Sequence, residues 1–585
     1  MCGSGREDLQ AHQIDLKYHD AGICQRHSIE FIYIDNPLDY EIHNNRDNIF
    51  CLILNTEYFF MHILMVSAEN DALPGAKVGG MGDVVGQIAP ALADRGCRVT
   101  VMTPCHGFLH RLPGAVQINA IEFMFRGYLH RAELFEVPGH PTHGQVRNLV
   151  VHHPHLSARD PVTADHRIYV HDPPDHPFAT DASRFALFCA AAAAAVTRQV
   201  LDPVDVIHLH DWHTAFVLIL RKFDPHHSAL TKIRTVFSIH NLALQGIRPL
   251  RGNDSSLEAW FPGLDYNWFD VADPQVPDCI NLMAAGIRLA DVIHTVSPTY
   301  AQEILLPSQK PEYYGGEGLE AALQYAHNRG ALIGILNGCA YSDGYAAPKM
   351  NFDCMLNLFK SALVQWAGGR ETLPAALFIA HARLLELERR KTEPEMILTS
   401  VGRAVPQKIQ LMRAAGSDAK SGLESILENL DKSGYLFLLG TGDEEHEHFL
   451  TRLSSRYDNF IFLNGYSDQI ARALYANGEL FLMPSSYEPC GISQMLAMRD
   501  GQPSVIHAVG GLKDTVQDGI NGFVFSGQTL IEQVDNFVRT TLAAVALKQN
   551  DPDQWLHICD NAVRSRFSWD HTARQYLEKL YEAFP

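Results

Sequence analysis

Several things are scarce in this chain of 585 residues. Cations are outnumbered: 47 Lys and Arg against 67 Asp and Glu leave a formal charge of −20. That balance argues against broad nucleic-acid binding, which needs a basic face, and any polyphosphate site must gather its few cations locally. Long apolar runs are missing too. The longest, Phe185 to Val196, is mostly alanine. It falls short of the roughly 18–20 residues of a membrane span, reads as a buried helix, and no membrane partner is expected. The eleven cysteines include no Cys-X-X-Cys pair. An odd count at low density excludes a disulfide framework and favours a reducing compartment, the cytoplasm. Metal-ligand patterns are thin: the sole Asp-X-Asp, Asp551-Pro552-Asp553, sits in a late polar loop. Neither a metal nor a cofactor is expected.

What remains is an ordinary globular composition, 46% hydrophobic and 19% charged, long enough for two large domains. Residues 1–60 stand apart as an N-terminal extension, too acidic for a transit peptide. From Met61 short apolar runs alternate with helical patterns, the signature of parallel sheets with right-handed crossovers. Strands are expected at 61–67, 98–102, 204–209, 235–239 and 291–296. A second series follows at 396–401, 436–439, 460–463, 480–483 and 504–507. The stretch 105–180, rich in His, Pro and Asp, is left as a variable middle, and His140 to His155 reads as solvated loop. The fold class is α/β, with two doubly wound, Rossmann-like halves. Residues 61–338 form one, 339–565 the other, and 566–585 an amphipathic helix that packs back on the first.

Two glycine-rich loops, more than 400 residues apart, each follow a strand and precede a helix. One is Lys77-Val78-Gly79-Gly80-Met81-Gly82-Asp83; the other is Glu488-Pro489-Cys490-Gly491 with Gly510-Gly511 behind it. Glycines at such turns let backbone N–H groups approach a ligand oxygen, and a helix N-terminus favours negative charge. Two such loops on two halves point to a phosphorylated donor held between them. Arg403 and Lys408 flank a turn right after a strand and are the candidate diphosphate cations: Arg offers a fork, Lys a point charge. Asp83 suits a helix cap as well as a ligand contact. His208 and His210 share one face of a strand, but nothing completes a zinc set around them.

With the motifs between them, these loops resemble the bacterial glycogen and plant starch synthases, retaining glucosyltransferases of the GT-B fold. The ordered motifs span Met61 to Pro585. The resemblance implies that Arg403 and Lys408, in Arg-X-X-X-Gln-Lys, hold the donor diphosphate. Lys77, Gly79 and Gly80 would lie at the phosphates, with Asp83 on donor or sugar hydroxyls. Glu488 matches the catalytic-site glutamate of Glu-Pro-X-Gly, beside Cys490, Gly491 and Ser493 as pocket residues. Gly510 and Gly511 would add backbone donors. His240 and Asn241 open His-Asn-X-Ala-Tyr-Gln-Gly, here with Leu244 for the Tyr; the histidine would lie by the sugar 6-hydroxyl. Asp211 would wall the site and Tyr466 stack on the base. Two further residues depart from the pattern: Ala284 stands where the family has a lysine, and Ala340 near where it has an aspartate.

The implied reaction is transfer of α-glucose from ADP-glucose to the non-reducing end of an α-1,4-glucan with retention. Covalent and front-face routes both stay open, as does oligomeric state. Rival readings are a GT-B transferase with another acceptor, a non-catalytic glucan-binding paralogue and, third, a Rossmann oxidoreductase.

Overall fold

The computed structural model describes residues 61–140, 146–159, 166–341, 349–369, 372–390, 393–430 and 434–582. The expected 1–60 extension lies outside them. In chain order the strands are β1 (His62–Val66), β2 (Arg98–Pro104), β3 (Val116–Phe125), β4 (Tyr128–Glu136), β5 (Val146–His152), β6 (Val206–His210), β7 (Arg234–Ile239), β8 (Ile247–Pro249), β9 (Cys279–Asn281), β10 (Val292–Thr295) and β11 (Leu332–Gly334). Then come β12 (Met396–Val401), β13 (Gly434–Gly440), β14 (Phe460–Asn464), β15 (Leu480–Met483), β16 (Ser504–His507) and β17 (Phe523–Phe525).

Two large sheets result. The first runs β11-β10-β7-β6-β1-β2-β5-β4-β3; the second runs β14-β13-β12-β15-β16-β17 and is parallel throughout. The central strands are buried along their whole length, for example His62–Val66 and Gly434–Gly440. Near-continuous apolar runs of this kind are what a sheet covered on both faces requires. The alanine-rich run lies in the helix Ala179–Thr197, long and apolar enough to cross a membrane but buried in the first core. The helices Phe352–Gly368 and Ala375–Arg390 pack with strands of the second sheet in a core that includes Leu356, Phe359, Leu384 and Phe437.

The middle stretch departs from expectation. Residues 146–152 are not loop: β5 pairs parallel with β2 and antiparallel with β4, and its centre is buried. The β3–β4 hairpin then extends the sheet edge. Apolar side chains on its outer face, Val116, Ile118, Met124 and Leu129, are exposed. They blur the two-residue alternation by which a half-buried strand is recognised.

The chain crosses between the two sheets twice, side by side. The Cys339 N–H donates to the Phe567 carbonyl at 2.6 Å, and Thr572 Oγ1 donates to the Leu336 carbonyl at 3.0 Å. Gly338 has no room for a side chain, since a Cβ would meet the Trp569 ring at 2.6 Å. After the second crossing the helix Trp569–Tyr576 and the turn Leu577–Tyr581 lie in the core of the first sheet. Trp569 Nε1 donates to Gln87 at 2.6 Å. Ala340, near the position of the absent aspartate, offers its carbonyl to Arg499 at 3.0 Å.

Candidate active site

Loops at the C-terminal ends of parallel strands from both sheets meet in one crevice, as open α/β sheets dictate. On the second sheet, Glu488 follows β15 and is 7% exposed. Its Oε2 pairs with Lys408 Nζ and accepts from Ser485 Oγ at 3.0 Å. Lys408 lies in the first turns of the helix Pro406–Arg413, the helix that starts after β12. The same helix pins the loop: Ser486 N donates to the Gln407 carbonyl at 2.9 Å, and Gln407 Nε2 to the Tyr487 carbonyl at 3.0 Å. Arg403 is exposed at the mouth of this arrangement.

Gly510 and Gly511 explain themselves by close approach. A Cβ on Gly510 would meet the Glu488 carbonyl at 1.9 Å, and one on Gly511 would meet Cys490 backbone at 2.5 Å. Their N–H groups are engaged within the protein. Gly510 donates to both Glu303 oxygens, at 3.0 and 3.1 Å, and Gly511 to the Glu488 carbonyl at 3.1 Å. The pair therefore seats the Glu488 loop here, rather than presenting free donors. Cys490 is likewise not an open pocket wall: it is buried with Val296, Cys339 and Met495 between the sheets. Burial raises its thiol pKa strongly, which disfavours the nucleophilic thiolate. Gly491 takes φ +74°, and a Cβ there would meet Gln494 Oε1 at 2.6 Å. Ser493 opens the helix Ser493–Arg499 and hydrogen-bonds Tyr475.

On the first sheet the glycine-rich loop already holds a carboxylate. Glu69 Oε2 accepts from Val78 N at 2.6 Å and Gly79 N at 2.8 Å, while Tyr169 OH donates to Oε1 at 2.7 Å. Glu69 was missed by sequence reasoning, although a carboxylate three residues past β1 was visible. Gly80 starts the helix Gly80–Ala93, and a Cβ on it would meet nothing within 4 Å. Asp83 is not that helix's cap; it pairs with Lys77, which also lies 3.5 Å from Asp71. Burial pushes the Asp83 carboxyl up to about 6 against the pull of Lys77. Burial works against the charge on Lys77, but Asp83, Asp71 and Asp468 more than offset it, and its pKa rises.

Asp211 supports the neighbouring turn. Its Oδ1 accepts the His240 N–H at 2.7 Å, and the Asn241 N–H also bonds to it. Burial lifts its carboxyl to about 7. Its backbone sits at φ +57°, ψ 179°, a region almost reserved for glycine and a mark of stored strain at functional sites. His240 shares a proton with His210 across 3.0 Å, and burial lowers its pKa to about 3, so it stays neutral. His208 is no metal ligand here: Nδ1 meets Tyr581 OH at 2.7 Å and Nε2 meets Ser238 Oγ at 2.6 Å. Asp551 caps the helix Pro552–Arg564.

The two sides face each other. Tyr466 is 61% exposed with its hydroxyl on Asp468 Oδ1. Burial and Asp468 raise its pKa, with further electrostatic contributions from Asp83 and Asp71 across the crevice. Tyr487 hydrogen-bonds Asn241 and stacks on Tyr314, ring centroids 4.5 Å apart. A second contact line joins the helix Pro298–Glu303 to the helix Gly510–Thr515. Thr299 donates to Asp514 from N and Oγ1 at 2.9 and 2.7 Å, and Ser297 Oγ to the Pro489 carbonyl at 2.5 Å. Ala284, at the absent lysine, is fully buried, so a neutral small residue is what this core accommodates.

Residues 62–325 match the starch synthase catalytic domain, and 419–542 match the glycosyl transferases of group 1. The glycogen synthase of Anaeromyxobacter sp. (strain Fw109-5) is 33% identical over 535 residues, 89% of this chain and 99% of that one. The chain belongs to the glycogen synthase family. Glycogen synthase 1 of Synechocystis sp. is 32% identical over 534 residues, covering 89% and 95%. Among solved structures, the catalytic domain of starch synthase IV from Arabidopsis thaliana, bound to ADP and acarbose, aligns with a TM-score of 0.66 at 27% identity. It covers 89% of this chain and 98% of that one. The two-sheet α/β architecture is thus GT-B, and the chemistry of the family is glucosyl transfer.

Proposed function

We propose that this enzyme transfers α-glucose from ADP-glucose to the 4-hydroxyl at the non-reducing end of an α-1,4-glucan, with retention. The observation that carries the reading is the convergence of Glu488, Lys408, Lys77, Asp83 and the Asp211–His240 turn on one crevice from two sheets. The starch synthase that aligns with the chain was solved with ADP, which favours an ADP donor.

In this reading Arg403 and Lys408 receive the diphosphate and stabilise it as the C1–O bond breaks; preorganised charges of this kind supply several kcal/mol. Lys77 adds charge from the facing side. Both lysines are held by carboxylates, so the donor enters by exchange: diphosphate replaces part of what Glu488 and Asp83 supply. Glu488 then faces the positive charge that develops on the sugar. The exposed face of Tyr466 takes the base, since aromatic stacking tolerates base identity. Asp211 acts through backbone, holding the His240-Asn241 turn where the neutral imidazole meets a sugar hydroxyl. Gly510, Gly511 and Cys490 serve by seating the Glu488 loop. The acceptor would approach over Phe178, Gln245, Asp273, Gln275 and Glu317, which line a pocket beside that turn. Eight free cysteines among the described residues fit a reducing, cytoplasmic setting.

The test is glucose incorporation into glycogen by purified protein, with ADP-glucose and UDP-glucose in parallel. Incorporation from ADP-glucose that falls by about 10²–10³-fold in Glu488→Gln, with an unchanged circular dichroism spectrum, is the expected result. Incorporation from neither donor by folded protein would overturn the reading, as would near-normal turnover in Glu488→Gln for the role of that residue.

A further inference from the structure

At the C-terminal ends of β2 and β5, beside the strand that leads into the glycine-rich loop, three strong metal ligands converge. Cys105 Sγ and imidazole nitrogens of His110 and His152 lie within 4.8 Å of one another. The fold puts them there. β2 and β5 pair parallel with Pro104 opposite Val151, so Cys105, just past β2, lies beside His152, the last residue of β5. Cys105 N still donates to the Val151 carbonyl at 2.9 Å. The chain then turns, and His110 in the short helix Leu109–Arg111 brings its ring onto His152, centroids 3.9 Å apart.

Each ligand is prepared for a cation. His152 Nδ1 bonds Glu133 Oε2 at 3.0 Å, and Glu133 stands opposite His152 in the β4–β5 register. That leaves Nε2 as the nitrogen for an ion, with a carboxylate behind the ring, the arrangement that orients metal-bound histidines. His110 Nε2 accepts from Arg111 Nε at 3.1 Å, while its Nδ1 is buried and has no hydrogen-bond partner. Cys105 Sγ accepts the Gly107 N–H at 3.4 Å, while burial, the larger effect, favours the thiol, so an ion binds by displacing its proton. The His152 side chain is 23% exposed, so an ion has a way in.

We propose that Cys105, His110 and His152 form a binding site for a zinc-class cation, a site separate from glucosyl transfer. One thiolate and two imidazoles suit tetrahedral Zn²⁺, with water as the fourth ligand. Zinc bond lengths set a ligand spacing of about 3.3–3.6 Å, so the side chains need to close by no more than about 1.5 Å on binding. The site would brace the turn after β2. His106, one residue on from Cys105, bonds the Ala68 carbonyl at 2.8 Å. Ala68 precedes Glu69, which holds the glycine-rich loop, so the ion would stiffen the backing of that loop.

The test uses untagged full-length protein stripped of metal. Equilibrium dialysis against Zn²⁺ alone should retain one ion per chain. Glu133→Gln should weaken binding about 10–100-fold, and Cys105→Ser at least as much. Co²⁺ alone should give the intense visible bands of a tetrahedral site and a sulfur-to-cobalt charge-transfer band that Cys105→Ser abolishes. The neighbouring pair His130 and His153, 3.3 Å apart, is the internal control: His130→Asn should leave binding unchanged. Weak, octahedral cobalt without the sulfur band in the unaltered protein overturns the proposal, whether or not the serine variant folds. So does binding lost in His130→Asn and kept in Cys105→Ser.

Discussion

At the scale of single residues, the site is held by carboxylates that satisfy backbone or lysine, and their environments fix what each can do. Asp211 is the clearest. Its carboxyl is lifted to about 7 by burial, above the usual value near 3.9. A raised folded-state pKa means the contribution to stability is complete below about pH 4 and is lost as pH rises through about 7. Asp211→Asn does not titrate, so its melting temperature relative to the parent should climb between pH 4 and 7 and then level off. The underlying change is ~4 kcal/mol at most; a flat difference would remove the buried charge from the account. Gly511→Ala makes a second expectation. Its Cβ would collide with backbone, which cannot swing aside as a flexible side chain can. The Glu488 loop must move, and turnover should drop at least about 100-fold while ADP binding by calorimetry persists. Equal loss of binding and turnover would mean that the whole crevice had collapsed. Residue identities in these motifs were legible in the sequence; their partners were not. Tyr169 meets Glu69, and Glu303 meets Gly510, only because the fold brings distant segments together.

At the scale of elements, the parallel strands announced themselves as apolar runs bounded by turns, and Met396–Val401, Leu480–Met483 and Ser504–His507 fall at the expected residues. The β3–β4 hairpin did not, because exposed Met124 and Leu129 disguise its alternation. β5 was hidden in a stretch whose histidines suggested solvent. His152 and His153 are instead built into the sheet, the first bonded to Glu133 and the second to His130. The last element matters beyond its size. Tyr581 OH bonds His208, which meets Ser238, which meets His294 Nδ1 at 2.7 Å. Tyr581→Phe would leave a buried imidazole nitrogen unpaired, at a cost of about 1–3 kcal/mol. Thermal denaturation should register that loss with turnover at permissive temperature nearly intact.

At the scale of the whole molecule, two sheets share one crevice and a double crossing. Contacts of Thr299 and Ser297 with Asp514 and Pro489 tie the first sheet directly to the catalytic loop. Closure in enzymes of this architecture completes the site and excludes water. Asp514→Ala should therefore loosen the two halves. Small-angle scattering without ligand should report a larger radius of gyration, and added ADP should reverse part of it. An unchanged radius would assign the Thr299–Asp514 contact a merely local role. The burial of Trp569, Tyr576 and Tyr581 in the first core has a consequence for how the protein is made. Ribosomes deliver the chain in order, yet the first sheet's core is completed by residues synthesised after the entire second sheet. The early half must wait, partly uncovered, until its final turn of helix arrives. Assembly of this protein is thus an out-of-order event, in which a segment made after the second sheet completes the core of the first.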